Sequence, residues 1–85
     1  MLTIYTRDDC EFCIQAKTVM ANRNIPYVEK KLGIDFVRED IRKKFPSMTT
    51  FPVIVQDDAT LIGGFTEFIT ELHKGNTFGK ILLQE

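Results

Sequence analysis

Cys10 and Cys13 are the only two cysteines in the chain, separated by Glu11 and Phe12. They stand where a short apolar stretch gives way to a helical pattern. Two thiols at this spacing, at the start of a helix, lie close enough to join in a disulfide across one turn. Cys10 then points at the helix N-terminus, where unpaired backbone N–H groups and the positive end of the macrodipole favour a thiolate. A thiolate is the species that attacks a disulfide. The pair therefore points to thiol–disulfide exchange. That use needs Cys10 exposed and ionised, with Cys13 tucked behind it to resolve a mixed disulfide. A metal site is the competing use. Structural zinc takes about four N or S ligands, and beyond the cysteines the chain offers one distant histidine, His73. Only a metal or an iron–sulfur cluster shared between two chains fits that count.

The elements that must hold the pair follow from the pattern around it. Leu2 to Thr6 is short and β-branched and predicts a strand, closed by the polar turn Arg7-Asp8-Asp9. From Cys10 to about Arg23 a helix is expected. Cys13, Ala16 and Met20 form its apolar stripe, while Gln15, Lys17 and Asn22 face water. Asn24 suits the exit and Pro26 forbids continuation. Tyr27 to Leu32 reads as a second, more polar strand at a sheet edge. Strand, helix, strand is a βαβ unit, right-handed in nearly all cases.

Gly33 breaks that strand, and Asp35 is placed to cap a helix from Phe36 to about Phe45. Phe36, Ile41 and Phe45 lie on its apolar side, and Arg38, Arg42, Lys43 and Lys44 on its wet side. Pro46 to Thr50 is a loop, Val53-Ile54-Val55 a buried strand, and Asp57-Asp58-Ala59 a tight turn. Thr60-Leu61-Ile62 pairs back as a hairpin. After Gly63-Gly64 a third helix runs from Phe65 to Lys74, apolar at Phe65, Phe68, Ile69 and Leu72. Gly75-Asn76 ends it, and Thr77 caps a last turn or two through Leu83. Four short strands with helices on both faces make a three-layer α/β sandwich.

Composition narrows the function classes. Eighty-five residues make one domain with one modest core. With 44% apolar residues, 27% charged residues and a net charge of −1, the chain reads as an ordinary globular protein. Such a balance gives no electrostatic case for nucleic acid or an anionic membrane. Met1-Leu2-Thr3-Ile4 lacks the basic region and apolar run of a signal peptide. No apolar stretch approaches the ~20 residues that span a bilayer. A cytoplasmic protein is expected. In a reducing compartment a lone cysteine pair at this spacing is catalytic or metal-binding more often than structural.

Four pieces, in this order and spacing, carry a resemblance: Tyr5-Thr6-Arg7, Cys10-Glu11-Phe12-Cys13, Thr49-Thr50-Phe51-Pro52 and Ile62-Gly63-Gly64-Phe65-Thr66-Glu67. Together they resemble the glutaredoxins, small glutathione-dependent members of the thioredoxin superfamily. The short chain fits a bacterial or phage-like form. The resemblance covers nearly the whole chain. It implies a four-stranded mixed sheet ordered 2-1-3-4, with the hairpin strands antiparallel to the first pair. It implies Cys10 as nucleophile and Cys13 as resolving thiol. For glutathione it implies Arg7 near the glycine carboxylate and Phe12 beside the sulfur. Thr50-Phe51-Pro52 would be the loop that pairs with the glutathione cysteine, with Pro52 cis. Gly63, Gly64, Thr66 and Glu67 would receive the γ-glutamyl end.

Two departures from the family pattern matter. Glu11-Phe12 replaces the common Pro-Tyr, and a carboxylate at position 11 opposes thiolate formation at Cys10 while favouring the helix. Phe65-Thr66-Glu67 stands where many members have Cys or Asn, then Ser or Asp, then Asp. Thr66 keeps a hydroxyl, and Glu67 keeps the charge on a longer stem.

The expected protein is thus a dithiol glutaredoxin with no bound cofactor and glutathione as co-substrate. Its clients would be disulfide or glutathionylated proteins, ribonucleotide reductase among them, and it would act as a monomer. Two rivals remain: a ribonucleotide-reductase redoxin recharged by thioredoxin reductase, and a non-enzymatic iron–sulfur or metal-binding module. The residues outside the four pieces have plainer readings. His73 reads as a surface or cap residue, and Phe65 serves equally well in a core. The basic face from Arg38 to Lys44 is most simply a wet helix surface; its other use is to dock an acidic partner or the glycine carboxylate.

Overall fold

The computed structural model describes residues 1–76 and Phe78. Thr77 and the turn expected to run to Leu83 lie outside the described residues. β1 (Leu2–Thr6) is followed by α1 (Glu11–Asn22) and β2 (Tyr27–Lys31). Then come α2 (Arg38–Lys44), β3 (Val53–Val55), β4 (Leu61–Gly63) and α3 (Phe65–His73). The strands form one sheet in the order β2-β1-β3-β4, as the resemblance implies.

Two cores explain the three layers. Leu2 and Ile4 of β1 join Ile54 of β3, Ala16 and Met20 of α1, and Phe68 and Leu72 of α3 on one face. On the other face Val53 and Val55 of β3 pack with Phe36 and Ile41, and Tyr5 of β1 closes over them. Tyr5 meets Phe36 edge to face, ring centroids 5.1 Å apart. β3 is apolar at every position because both of its faces are covered. β2 is polar because it is an edge.

Strand directions correct one expectation and position the site. β1 and β2 are parallel, with Thr6 opposite Lys31. β3 is antiparallel to β1, with Ile4 opposite Ile54. β4 is antiparallel to β3, so it runs with β1 and β2. Only one strand of the hairpin opposes the first pair. In consequence β1 and β4 end, and β3 begins, at the same end of the sheet. The helices that follow β1 and β4 both start there, so their N-termini share one end with the loop before β3.

The second helix is shorter than expected. It begins at Arg38, after an extended Val37. The Asp35 carboxylate does not cap it but accepts from the Lys31 backbone N–H at 2.8 Å, tying the loop back onto β2. Asp40 supports the helix start by accepting from the Val37 N–H at 3.0 Å. Phe36 is buried before the helix begins and makes an isolated parallel bridge with Leu32. The third helix stops at His73, and Gly75 takes a positive φ of 94° beyond it, consistent with the expected exit.

Candidate active site

Cys10 is the N-cap of α1, its backbone extended, and its Sγ accepts from the Cys13 N–H at 3.1 Å. The two cysteines are joined in a disulfide, Cα atoms 5.2 Å apart. Cys13 is 2% exposed, behind the helix start as expected. Cys10 is only 4% exposed, which corrects the expectation of an exposed sulfur. The cause is the loop before β3, whose Phe51 carbonyl oxygen lies 3.7 Å from the Cys10 Sγ. A sequence-local reading cannot see this contact, because it brings together residues 41 positions apart.

That loop links the disulfide to a groove. Phe12, Thr50, Phe51, Pro52, Gly64, Thr66 and Glu67 line one depression of about 260 Å³, together with Phe65. The Phe51–Pro52 bond is cis. Phe12 is 56% exposed, and its ring stacks on Phe65 at 5.6 Å between centroids and 27° between planes. An aromatic pair therefore walls the groove beside the cysteines.

The far end of the groove is the start of α3. Its N-cap is Gly64, which has no side chain to accept from the first turn, so the first-turn N–H groups carry no side-chain cap from the N-cap residue. The Gly64 N–H donates to Glu67 Oε1 at 2.8 Å. Gly63 lies beneath: a Cβ there would come within 2.8 Å of the Glu67 Cβ and Cγ, and its φ is 129°. Packing around Glu67 thus demands Gly63, whereas a Cβ at Gly64 would meet the flexible end of Glu67 at 3.3 Å.

Arg7 does not join this groove. Its Nη1 donates to the carbonyls of Asp8 and Asp9 at 2.9 and 3.1 Å. It lines a separate hollow of about 170 Å³ that also reaches Cys10 and Cys13. Within that hollow the structure shows a cluster absent from the sequence reading. Thr6 is 1% exposed, and its hydroxyl donates to Glu29 Oε2 at 2.7 Å. Lys17 Nζ donates to both Glu29 oxygens at 3.2 and 3.0 Å. The Thr6 hydroxyl above all, helped by Lys17, holds the Glu29 carboxyl below its usual range, although partial burial pulls the other way. Lys31 does the same to Asp8 across a 2.8 Å pair, and Asp8 raises Lys31 in return. The signal was present: Leu2, Ile4 and Thr6 alternate on one face, so a polar Thr6 pointing inward needs a partner from a neighbouring strand.

Among the described residues no group of three His, Cys, Asp or Glu side chains is placed to hold a metal ion. No described helix is long and apolar enough to cross a membrane. His73 sits exposed in the last turn of α3, away from the cysteines.

Comparison with known proteins agrees with this geometry. The glutaredoxin family model matches residues 2–60. The crystal structure of glutaredoxin 1 from Francisella tularensis in complex with cacodylate aligns at 30% identity, with a TM-score of 0.71, over 86% of this chain and 92% of that one. A wheat glutaredoxin aligns at 16% identity and a TM-score of 0.75, over 88% of this chain and 74% of that one. A thioredoxin-like protein aligns at 23% identity and a TM-score of 0.65, over 87% and 97%. The last two likenesses concern the fold alone. No curated protein sequence matches the chain.

Proposed function

The chain belongs to the glutaredoxin family of thiol–disulfide oxidoreductases, and on that premise we propose that glutathione is its electron donor. One observation carries the reading: the Cys10–Cys13 disulfide touches, through Phe51, a groove that ends at the start of α3, where the N-cap Gly64 brings no side chain of its own. The groove offers a tripeptide a main chain to pair with beside the sulfur and N–H groups for a carboxylate at its far end.

In the reduced protein the Cys10 thiolate inherits the Cys13 N–H and the positive end of α1. It attacks one sulfur of a substrate disulfide and forms a mixed disulfide with it, while the other sulfur leaves as a thiolate and takes up a proton. The Cys13 thiol, losing its proton, then attacks Cys10 Sγ and releases the second substrate thiol. Two glutathione thiols restore the Cys10–Cys13 pair and leave as glutathione disulfide. With a glutathione mixed disulfide as substrate, Cys10 takes the glutathione sulfur and a second glutathione releases it without Cys13.

In this reading Phe51 and the cis Pro52 meet the glutathione cysteine, and Thr50 and Phe12 flank it. Thr66 and the first N–H groups of α3 receive the γ-glutamyl carboxylate, Gly63 and Gly64 allow the approach, and Glu67 faces the ammonium. Arg7 reaches the glycine carboxylate by leaving the Asp8 and Asp9 carbonyls, an exchange between exposed partners that costs little. No bound cofactor is needed. The protein acts as a monomer in the cytoplasm, on glutathionylated proteins and on dithiol-requiring clients such as ribonucleotide reductase.

The test is NADPH-coupled reduction of a small glutathione mixed disulfide, with glutathione and glutathione reductase, then with thioredoxin reductase in their place. Turnover in the first mixture only, abolished in Cys10→Ser and largely kept in Cys13→Ser, is the expected result. Turnover in the second mixture only would assign the chain to the redoxins that ignore glutathione.

A further inference from the structure

Cys13 is 2% exposed, yet it must lose a proton before it attacks Cys10. A thiol so enclosed keeps that proton until a base takes it. Cys13 does not line the groove beside Phe51, but it does line the hollow of about 170 Å³ below the β1–α1 turn. The charged residues of that hollow are Arg7, Asp8 and Asp9 from the turn, Lys17 from α1, and Glu29 and Lys31 from β2. Neither β3 nor α3 adds any. Arg7 is held by the Asp8 and Asp9 carbonyls. Asp8 is paired with Lys31, and its side chain is 77% exposed; Asp9 is exposed as well. Glu29 differs from both. Its side chain is 32% exposed, Lys17 Nζ donates to each of its oxygens, and the Thr6 hydroxyl donates to Oε2 at 2.7 Å.

Thr6 joins this carboxylate to the buried thiol. The Thr6 and Cys13 side chains are both fully enclosed, and both line the hollow. The Thr6 hydroxyl gives its one proton to Glu29, which leaves the oxygen lone pairs to accept another. Lys17 follows Cys13 by four residues on the same face of α1 and fixes the carboxylate from that side. From this arrangement we propose that Glu29, positioned by Lys17 and reached through the Thr6 hydroxyl, takes the proton that Cys13 gives up when it resolves a mixed disulfide. The proposal rests on Cys13 as the resolving thiol, as assigned above, and not on glutathione. The Cys13 proton passes to Thr6 Oγ1, directly or through one water, while the hydroxyl proton passes to Glu29 Oε2. The electron pair left on Cys13 forms the bond to Cys10 Sγ, and the bond from Cys10 to the substrate sulfur breaks, releasing a thiolate. Glu29 then hands its proton to water, for which the hollow has room at about 30 Å³ per molecule. The Thr6 hydroxyl above all, and Lys17 after it, hold the Glu29 carboxyl below its usual range, so it is ionised at neutral pH and gives the proton up readily.

The symmetrical disulfide of thionitrobenzoate reads the two thiols in one trace. The Cys10 thiolate of the reduced protein attacks it, expels one coloured thionitrobenzoate anion and keeps the other as a mixed disulfide. Cys13 then attacks Cys10 Sγ and expels the second anion as the Cys10–Cys13 disulfide closes. The first phase grows with reagent concentration and the second does not. The ratio of second to first rate constant, at one reagent concentration, therefore isolates the Cys13 step.

Glu29→Gln still accepts from the Thr6 hydroxyl but takes no proton, and it should lower the ratio about tenfold at neutral pH. That is less than the roughly 10²–10⁴-fold given by bases poised near neutrality, because this carboxyl is a weaker base. In the parent the second phase should stay level between the carboxylate and thiol ranges and fall in acid as Glu29 protonates. In Glu29→Gln it should climb through that interval and meet the parent where Cys13 ionises unaided. Thr6→Val should behave like Glu29→Gln, and Thr6→Ser should restore the parent ratio. An unchanged ratio in Glu29→Gln, or parallel pH profiles, would overturn the proposal. So would a faster second phase in that variant, the sign expected if Glu29 acted on Cys13 only as a like charge. A parent that releases a single anion would remove Cys13 as the resolving thiol and the proposal with it. The reagent carries no glutathione, so a tenfold effect here beside a silent glutathione-coupled assay would leave the proton route standing and remove the glutathione reading alone.

Discussion

At Cys10 two first-turn effects oppose each other. The N-cap position and the Cys13 N–H at 3.1 Å favour a thiolate, while the Glu11 carboxylate in the same turn disfavours it. Glu11 also interacts well with the helix dipole, worth about 0.3–1 kcal/mol at an exposed site. Glu11→Gln separates the two: the variant should lose about that much stability and form the Cys10 thiolate at lower pH. Ultraviolet thiolate absorbance of the reduced protein against pH reads the second effect, and an unchanged profile would mean that Glu11 lies outside the field of the sulfur. Much of this was legible from type and spacing. Cys10, Cys13 and the groove residues from Phe12 to Glu67 fall where the four sequence pieces put them. Arg7 was not legible, since its carbonyl partners depend on the turn adopted by Asp8 and Asp9, where Asp9 takes a φ of 53°.

Elements are tied together at the active-site end by groups whose partners come from other elements. Glu29 links β2 to β1 through Thr6 and to α1 through Lys17. Its folded-state pKa is depressed, so its contribution is present at neutral pH and lost as pH falls through the carboxylate range. Glu29→Gln should therefore flatten the acid limb of a thermal-stability profile, by about 0.5 kcal/mol on the scale of an exposed pair. Parallel acid limbs for parent and variant would show that the bridge carries no folding free energy. Gly63 is a sharper case. Both Gly63 and Gly33 have positive φ, at 129° and 89°, but only Gly63 has Glu67 within overlap distance of an added Cβ. Gly33→Ala should cost about 1 kcal/mol from backbone strain alone. Gly63→Ala should cost about 2–3 kcal/mol and also weaken glutathione turnover, because relief requires Glu67 to leave the Gly64 N–H. Denaturant midpoints and the coupled assay report the two parts, and equal losses for both variants would count against the overlap. Strand and helix positions were readable from periodicity, but the α2 start was not. Asp35 carries the right side chain for a cap, yet the Lys31 N–H claims it. A cap is decided by which donor is nearest, and the sequence does not show that.

Over the described residues the burial is lopsided, and the lopsidedness bears on how the molecule opens. α1 buries Cys13, Ala16 and Met20, and α3 buries Phe68 and Leu72 against the same sheet face. α2 spans seven residues and buries Ile41 alone. The sequence predicted helices on both faces without saying that one face would be thin. That follows from where Phe36 and Phe45 fall, just outside the helix they were expected to anchor. Local opening free energies track buried apolar contact, so α2 should open without the rest of the fold. Native-state hydrogen exchange should give the amides of the second half of α2 an opening free energy about 2 kcal/mol below that of Ile54 in β3. Phe68→Ala, which removes a fully buried ring from the thick face, should cost about 3–5 kcal/mol and lower both alike. Ile41→Ala should release α2 while β3 keeps most of its protection. If α2 and β3 exchange at one common free energy, the molecule opens only as a unit. Arg38 and Arg42 would then stand on a surface as stiff as the cysteine pair. If they differ as expected, α2 is the most yielding element, beside a disulfide held by the most rigid ones. That division would let one wall beside the loop before β3 yield while Cys10 and Cys13 keep their register for exchange.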